Sequence, residues 1–580
     1  MNLGAGERLN EYRVLTRRGS EVFWSRLKRW FLVSALVGVL TGALVTLLEL
    51  SVSSLWGLTG SGLGPVTVVV VPTVGLLLSG LCLQFLTVNP DIHGTEEVIE
   101  TFHERGGVFQ FRSFPGKMLA AVATLGFGGS AGLEGPSIYA GGVIGSYTLR
   151  RMRRLGFSDE DVRALMIAGA AAGVSAIFKA PLTGIVFALE VPYRDDLTRE
   201  ALIPSLVAAV SSYLVLVQFL GVEPLFRLSG RYDLGVSDLF YAGVLGVAVG
   251  LVARAFIGSF HAIRRYAESS PLPLWGRTTV GGLVTGLLGL AALLLVGEPV
   301  VLGIGYEAVT RIISPGYDLP ALVAILFLKT GAIVATLASG AAGGMFIPMI
   351  MLGATVGAIV RAVAPAAGGG LLPVVGMAAF LAAGYNTPLA AAVFVAESTG
   401  GAGYIIPGLV GSAVAFAVAG RTSVSHMQRW RRETRLDKLM RLRVADIMTH
   451  GVDTVSPSET VQSFVEDHVV PTGHRFMPVV DERGGLCGTV SLADVAAIPA
   501  ERWSVASVAD AMAREVVTTR QDATVGEIVG IMTGHDIGHV PVLGGENGRK
   551  IIGIVSTSDI LALDDVRASW QWRRSGPPTS

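Results

Sequence analysis

Two short segments of this sequence combine glycine and proline in a way that could bind an anion. They read GLEGP at 132–136 and GMFIP at 344–348, and in each the proline stands at the start of a new apolar stretch. Proline is tolerated in the first turn of a helix, so both segments predict helix N-termini. Because a helix N-terminus carries unpaired N–H groups and a partial positive charge, two of them directed at one point would hold an anion without a fixed cation. Taken singly, either segment could equally be an ordinary turn between helices.

Glu134 lies inside the first of these segments, between Leu133 and Gly135. A carboxylate within apolar membrane sequence is costly, which makes it a functional candidate. Its ionised form would compete with an anion for the same N–H donors, and protonation would free those donors. The residue is therefore predicted to be a gate and a proton carrier, and the alternative is an interfacial glutamate in contact with water.

The two segments belong to a larger internal repeat. The sequences APLTGIVFALE, from Ala180, and TPLAAAVFVAE, from Thr387, carry proline, phenylalanine and glutamate at the same spacing. The two copies are 212 residues apart at the glycine-rich segments and 207 residues apart here. In transporters, such repeats place the solute site where the copies meet. The paired Glu190 and Glu397 are expected to cap or join neighbouring helices and not to take part in transport.

Composition indicates that most of the chain faces lipid. Of 580 residues, 51% are hydrophobic and 16% are charged, and the mean hydropathy is +0.57, whereas soluble domains carry roughly a quarter charged residues. Apolar stretches run from Trp30 to about Val418, and several are short, glycine-rich and interrupted by proline, which favours a transporter or channel over a simple anchor. Equal totals of 45 basic and 45 acidic residues give no indication of nucleic-acid binding. No cluster of His, Cys or carboxylates has the spacing of a metal site.

Basic residues are concentrated before the first apolar stretch and after the last one. The positive-inside tendency therefore predicts that both termini are cytoplasmic, and the lack of targeting signals favours a multi-pass protein of a bacterial or archaeal inner cell membrane. The predicted divisions are a cytoplasmic N-terminal segment (1–29), a transmembrane transport domain (30–425), a basic linker (426–443), two soluble domains (444–502 and 503–568) and a tail (569–580).

The soluble region is itself a tandem repeat. VADIM at 444–448 matches VADAM at 508–512, MPVV at 477–480 matches VPVL at 540–543, and GTVSLAD at 488–494 matches GIVSTSD at 553–559. This region resembles a tandem pair of α/β CBS domains, which pack face to face. The resemblance implies that Asp494 and Asp559 hold the ribose hydroxyls of an adenine nucleotide and that Ser491 and Ser556 meet its phosphates. The alternative is a dimerisation platform without a nucleotide.

The membrane region resembles the CLC family of chloride channels and proton-coupled chloride antiporters. The resemblance rests on GGSAGLEGP (128–136), SGAAGGMFIP (339–348) and the repeated PL...F..E helices, and it covers roughly residues 30–435. It implies an all-α polytopic membrane fold of two inverted halves with many short and broken helices. It also implies a homodimer with one pore per subunit, which passes chloride or a similar anion, with protons as a second partner. The implied site residues are the gate Glu134, the anion-binding amides of Phe346 and Ile347, and the residues that shape the helix ends, Gly132, Gly135, Gly344, Pro136 and Pro348.

Two regions near the implied pore carry charge. Lys117 matches a family lysine that would raise the local positive potential, and the alternative is an interfacial lysine whose ammonium reaches the membrane surface. Where many members have GSGIP, this chain has GTEEV at 94–98. Thr95 can replace a serine hydroxyl as an anion donor, whereas Glu96 and Glu97 add carboxylates whose orientation the sequence leaves open.

Two further departures from the family pattern bear on mechanism. Val191 stands where proton-coupled members have a second, internal glutamate, and residues 421–424 lack the tyrosine that closes the inner end of the pore in the family. The predicted function is chloride permeation gated by protonation of Glu134, channel-like because of Val191 and modulated by the CBS pair. The alternatives are a proton-coupled chloride antiporter, a fluoride-selective member and, more distantly, a CBS-regulated cation transporter. No enzymatic constellation recurs in the sequence. No cofactor is required, and the CBS pair could bind an adenine nucleotide.

Overall fold

A computed structural model of the protein describes residues 5–562 except 61, 63, 153–156, 227, 229–234, 365–369, 433–434 and 545–547, with side chains from Lys28 onward. The predicted tail (569–580) and the end of the second soluble domain lie outside the described residues. The chain folds into two compact units that divide between Arg431 and Arg432.

The first unit is helical. Nine helical segments of the described chain are long and apolar enough to cross a membrane, and three further apolar helices are shorter. The protein is therefore a multi-pass membrane protein with short and broken helices, as its sequence predicts. The helices are α1 (Ala5–Thr59), α2 (Pro65–Leu86), α3 (Thr95–Glu104), α4 (Phe114–Gly126), α5 (Glu134–Arg151), α6 (Asp159–Phe178), α7 (Pro181–Glu190), α8 (Leu202–Leu220), α9 (Val236–Glu268), α10 (Leu274–Val296), α11 (Tyr306–Ile313), α12 (Leu319–Ala338), α13 (Phe346–Val363), α14 (Leu371–Tyr385), α15 (Pro388–Thr399) and α16 (Ile405–Ala419).

The packing of these helices repeats after α8. Helix α1 packs on α8 as α9 packs on α16, α5 packs on α6 as α13 packs on α14, and α6 packs on α7 as α14 packs on α15. Helices α2 and α10, which occupy the same place in the two copies, pack on each other. This arrangement confirms the internal repeat that the sequence predicts, with α1–α8 as one copy and α9–α16 as the other.

Glycines determine how closely the paired helices approach. Gly141 of α5 lies against Gly169 of α6, and Gly353 of α13 lies against Gly376 of α14, at the equivalent positions of the second copy. A Cβ atom on any of the four would overlap the carbonyl oxygen of its partner glycine. Small residues permit such backbone contact between membrane helices. The contacts hold α5 and α13 in place, and these are the helices that begin at the two predicted anion-binding segments.

The second unit contains two small sheets. Strand β1 pairs with β2 in an antiparallel sheet, and β4 pairs in parallel with β3 and in antiparallel with β5. This confirms the predicted α/β character of the tandem repeat. The elements are α17 (Arg435–Met440), α18 (Val461–Ser463), a π-helical turn (Phe464–Val469), α19 (Val470–Thr472), β1 (Phe476–Val480), β2 (Leu486–Ser491), α20 (Leu492–Ala496), α21 (Val508–Ala511), β3 (Thr519–Arg520), α22 (Val525–His535), β4 (His539–Gly544) and β5 (Lys550–Ser556).

The two copies in this unit are interleaved. Thr449, which follows the first VADIM motif, pairs with Ile554 of β5, whereas Ala513, which follows the second VADAM motif, pairs with Thr489 of β2. Val444 accordingly packs in the hydrophobic core of the second copy and not of its own. The opening segment of each copy therefore completes the core of the other, so the packing units do not coincide with the sequence repeats.

Candidate anion site

Helices α5 and α13 begin side by side, and the segments that precede them are hydrogen-bonded to each other. The N–H of Gly132 donates to the carbonyl of Gly344 over 2.8 Å, and the N–H of Gly344 donates to the carbonyl of Gly132 over 2.7 Å. Gly135 packs against the backbone of Gly344, and Pro136 and Pro348 are buried in the first turns of their helices. The structure thus brings together the two segments that the sequence singles out. First-turn amides of a helix have no intrahelical acceptor, so both helices present donors here.

The carboxylate of Glu134 accepts hydrogen bonds from the backbone amides at the start of α13. Glu134 is only 1% exposed, its Oε1 accepts a hydrogen bond from the N–H of Phe346, and the N–H of Ile347 also faces the carboxylate. A Cβ atom at Gly132 or Gly344 would overlap this carboxylate, so both glycines are needed for the side chain to reach the amides. The side chain therefore takes the position that the sequence predicts for an anion, and a soluble anion would have to displace it.

Aromatic rings fix the first turn of α13. The ring of Phe346 is fully buried, with centroids 4.4 Å from Phe178, 5.0 Å from Phe394 and 5.2 Å from Phe187. Phe187 and Phe394 are the phenylalanines of the repeated PL...F..E motif. Offset and edge-on contacts of this kind stabilise a fixed ring arrangement. The repeat therefore contributes to the site by holding the backbone amides in place.

A third helix N-terminus reaches the same place. Helix α3 begins at the buried Thr95, directly after Gly94, whose φ of 65° favours glycine. Gly94 packs against the backbone of Gly135. Thr95 lines a cavity of about 70 Å³ together with Gly344 and Tyr385. We call this the inner cavity, because residues 424–425, which stand directly before the predicted basic linker, also line it.

Tyr385 is the residue at this site that the sequence analysis missed. It ends α14, is 4% exposed, and its hydroxyl faces the Thr95 side chain and the Met345 backbone. The expectation that the inner end lacks a tyrosine hydroxyl, drawn from residues 421–424, is wrong because α14 supplies one. A signal was present, since Tyr385 lies 207 residues after Phe178, and each stands three residues before the proline of its PL motif.

Charged side chains line the inner cavity in pairs. Arg264 contacts Glu96 over 2.8 Å and Glu268 over 2.9 Å, and Arg277 contacts Asp91 over 3.3 Å. This settles the orientation of Glu96, which faces the cavity next to Thr95. The cavity is therefore lined by guanidinium groups that are paired with carboxylates, and Glu96 is one of those carboxylates.

Glu97 points elsewhere and binds Lys117. The Lys117 Nζ donates to Glu97 Oε2 over 2.5 Å and to the carbonyl of Ile92 over 2.7 Å, with the two side chains 2% and 6% exposed. It also lies 5.3 Å from the ring centroid of Tyr139. Lys117 is therefore not an interfacial lysine. Because the ammonium and the carboxylate are in contact, their fields largely cancel at a distance, and Lys117 contributes less positive potential to the anion site than the sequence predicts.

Val191 is buried at the end of α7 and takes part through its backbone. Its carbonyl accepts a hydrogen bond of 2.8 Å from Gln428 Nε2, which also donates to the carbonyl of Tyr385 over 2.7 Å. Ser423 donates to the Gln428 Oε1 over 2.6 Å. The buried amide of Gln428 thus joins the ends of α7 and α14, and the position of the family's internal glutamate carries no ionisable group.

Glu190 and Glu397 cap helices of the opposite copy, as the sequence predicts. The Glu190 carboxylate accepts hydrogen bonds of 2.9 and 3.2 Å from first-turn amides of α15. The Glu397 carboxylate accepts bonds of 2.6 and 3.0 Å from first-turn amides of α7 and one of 2.7 Å from the Thr183 hydroxyl. A carboxylate at a helix N-terminus is stabilising, so this reciprocal pair joins the two copies.

In the second unit, the residues predicted to contact a nucleotide are paired with one another. The Ser491 hydroxyl donates to the Asp494 Oδ2 over 2.6 Å, and the Ser556 hydroxyl donates to the Asp559 Oδ2 over 2.7 Å. The backbone N–H of each aspartate donates back to the serine hydroxyl over 3.2 Å. These are capping boxes at helix starts, which give the repeated Ser-x-x-Asp a structural role whether or not a nucleotide binds. The Oδ1 atoms lie outside the capping boxes, and the Asp559 Oδ1 accepts a hydrogen bond of 3.4 Å from the Thr449 hydroxyl.

Comparison with known proteins agrees with this architecture. A chloride channel protein of Ralstonia nicotianae, named ClcB-like, is 31% identical over 338 residues, which is 57% of this chain and 77% of the relative. The H(+)/Cl(-) exchange transporter ClcA of Salmonella typhimurium is 29% identical over 332 residues, 55% of this chain and 68% of the relative. The crystal structure of a eukaryotic CLC transporter has the same fold, with a TM-score of 0.59 at 18% identity, and covers 92% of this chain and 98% of its own.

The sequence profiles of two families match the two units separately. The CBS domain profile matches residues 444–501 and 508–565. The profile described as Voltage gated chloride channel matches residues 74–420, more than half of the chain, and this span holds both glycine-rich segments and Glu134, which lies in the first of them. The chain therefore belongs to the CLC family of voltage-gated chloride channels and antiporters and carries a tandem pair of CBS domains after its membrane unit.

Proposed function

We propose that this protein moves chloride across the membrane and that protonation of Glu134 opens the path. The hydrogen bond from the Phe346 N–H to the Glu134 carboxylate carries the proposal. An ionised carboxylate makes a charge-assisted hydrogen bond with an amide and keeps chloride from the amides of Phe346 and Ile347. A protonated carboxyl is a weaker acceptor without charge, so chloride can take its place at the N-terminus of α13.

In the mode that we propose first, the movement of chloride through this site is coupled to the movement of protons in the opposite direction. The Salmonella relative is an exchange transporter by name, and exchange requires a second proton acceptor on the inner side. Glu96 supplies one, because it lines the inner cavity beside Thr95 and Tyr385. Uncoupled, channel-like permeation is the second candidate, and Val191 supports it because the usual internal glutamate is replaced by an apolar side chain.

Chloride flux from proteoliposomes distinguishes these modes when internal pH is recorded while a chloride gradient runs down. In the wild type, exchange drives protons against their own gradient, whereas channel-like permeation does not. Glu134→Gln should abolish both the proton movement and the pH dependence of chloride flux while the flux itself persists. Glu223→Gln, in which an exposed carboxylate of the same unit is neutralised, is the matched control and should behave as the wild type. Loss of pH dependence in the control variant, or its persistence in Glu134→Gln, would contradict the gate.

For the CBS pair we propose binding of an adenine nucleotide that modulates transport. The support is the repeated Ser-x-x-Asp motif, in which the Oδ1 atoms of Asp494 and Asp559 remain outside the capping boxes. Asp510 makes the same capping box with Ser507 and lies outside the proposed nucleotide contacts. Calorimetry with ATP and AMP on the full chain should show binding that Asp494→Asn and Asp559→Asn weaken and Asp510→Asn leaves unchanged. Equal loss in all three variants, or no heat of binding, would contradict the proposal.

A further inference from the structure

The structure accounts for three glutamates that lie within apolar helices of the described membrane unit. Glu134 occupies the anion site, and Glu190 and Glu397 cap helices of the opposite copy. Glu49, on α1, has no such role. Because an ionisable side chain within a membrane is costly, it is a functional candidate by default.

Glu49 lines a second cavity, of about 450 Å³. This cavity lies where α10 ends, since Pro299 and Val300 also line it, whereas Arg277, near the start of α10, lines the inner cavity. Helix α10 has 23 residues, enough to cross the hydrocarbon core at 1.5 Å per residue. The two cavities are therefore on opposite sides of the membrane, and we call the second one the outer cavity. Its volume holds several water molecules, because each occupies roughly 30 Å³ in the liquid.

Tyr306 connects this cavity to the anion site. It lines the outer cavity, and its hydroxyl lies within electrostatic reach of both Glu49 and Glu134. In the repeat it occupies the place of Thr95, since each is the first residue of its helix and follows a glycine of positive φ. Thr95 lines the inner cavity, and Tyr306 lines the outer cavity.

One buried oxygen atom of Glu49 and one of Tyr306 have no hydrogen-bond partner among the described residues. Among the residues that the structure describes, neither Glu49 Oε2 nor the Tyr306 hydroxyl makes a hydrogen bond. An unsatisfied buried polar atom costs free energy comparable to a lost hydrogen bond, so such atoms call for a functional or solvent-linked explanation. A pathway of protons and water through the outer cavity supplies one.

We propose that Glu49 and the Tyr306 hydroxyl form the outer route by which protons reach Glu134. A hydronium ion in the outer cavity protonates the Glu49 carboxylate and leaves as water. The proton then passes to the Tyr306 oxygen as the tyrosine gives its own proton to the Glu134 carboxylate, through water where needed. The net change is one proton lost from the outer solution and one gained by Glu134. This route deepens the proposed function and rests on its claim that protonation of Glu134 opens the path.

Other charged groups face this route and set its electrostatics. The Glu298 carboxylate is compensated locally, because it accepts hydrogen bonds of 2.7 Å from Arg311 and 2.5 Å from the Tyr317 hydroxyl. Lys179 lies within electrostatic reach of Glu49. The remaining groups are Glu307, which is exposed on the cavity wall, and Lys329, whose Nζ donates to the carbonyls of Val301 and Gly303.

The test uses proteoliposomes in which the CBS pair faces the lumen. The pH of the bath is lowered rapidly, and the rise of chloride flux is followed in time. Removing a proton-transfer group slows proton transfer by about a hundredfold or more. Glu49→Gln and Tyr306→Phe should each slow the rise of flux at least about tenfold and leave the final flux at acid pH at the wild-type level. Glu49→Asp should retain a fast rise, and Glu223→Gln, which neutralises an exposed carboxylate that is not among the lining residues of either cavity, serves as the matched control.

The outcomes separate this route from the gate itself. A wild-type rise in both Glu49→Gln and Tyr306→Phe, with Glu134→Gln unresponsive to pH, would overturn the route and leave the gate intact. A pH response that persists in Glu134→Gln would overturn the gate. A loss of final flux equal to the loss of rate would mean that Glu49 and Tyr306 are structural, and would also overturn the route. Because Tyr306→Phe conserves the ring, it keeps the test decisive if Glu49→Gln folds poorly.

Discussion

The buried contact between Lys117 and Glu97 predicts that the two side chains matter as a pair and not as separate charges. They are 2% and 6% exposed and 2.5 Å apart. Removing one member of such a pair leaves an uncompensated buried charge, which typically costs about 3–5 kcal/mol. Lys117→Met and Glu97→Met should therefore each lower the free energy of unfolding by about that amount. The double variant removes both charges and leaves mainly the Ile92 carbonyl without its donor, at a cost of about 1–3 kcal/mol.

The assay is a double-mutant cycle of unfolding in mixed detergent micelles, together with chloride flux per folded protein. We expect the double variant to be more stable than either single variant, with a coupling free energy of several kcal/mol. We also expect its chloride flux to stay close to that of the wild type, because the paired charges contribute little field at the anion site. Additive losses of stability would refute the pairing. A folded double variant that no longer conducts chloride would show that the Lys117 charge acts on the anion.

Three further predictions follow from single contacts. Tyr385→Phe removes a buried donor beside Thr95 and should weaken chloride binding by up to about tenfold, measured by calorimetry with Tyr404→Phe as control. Glu397→Gln replaces a charged cap of α7 by a neutral one and should lower the free energy of unfolding by about 1–2 kcal/mol without changing the pH dependence of flux, and a changed pH dependence would contradict a purely structural role. Glu96→Gln should abolish uphill proton movement in proteoliposomes and preserve chloride flux, whereas Glu268→Gln should leave both intact, and uphill movement in Glu96→Gln would contradict the inner acceptor.

The sequence predicts the anion site well because its parts are repeated. Gly132, Glu134 and Phe346 stand in two motifs at one fixed offset, and a repeat of membrane helices brings equivalent positions together. The same argument predicts the capping roles of Glu190 and Glu397. In these cases the local motif and the internal repeat of the fold predict the same contacts.

Other features depend on contacts that no local pattern reveals. Tyr385 places a hydroxyl at the inner cavity, whereas the family pattern has its tyrosine at the position of residues 421–424, because Tyr385 and Val424 both line this cavity. The partner of Lys117 is a carboxylate 20 residues away on another helix, so only the packing shows that the charge is compensated. In the CBS pair, Val444 packs in the core of the other copy, which a repeat boundary drawn from sequence similarity does not show.

The central claim is that the Glu134 carboxylate and chloride compete for the amides of Phe346 and Ile347. Equilibrium chloride binding, measured by calorimetry on purified protein at several pH values, tests it most directly. The account predicts that wild-type affinity rises as the pH falls and that Glu134→Gln binds chloride at neutral pH about tenfold more tightly than the wild type, with no pH dependence, since a charge-assisted hydrogen bond exceeds a neutral one by about 1–1.5 kcal/mol. Chloride affinity in Glu134→Gln that equals the wild-type value at neutral pH, or that still varies with pH, would contradict it.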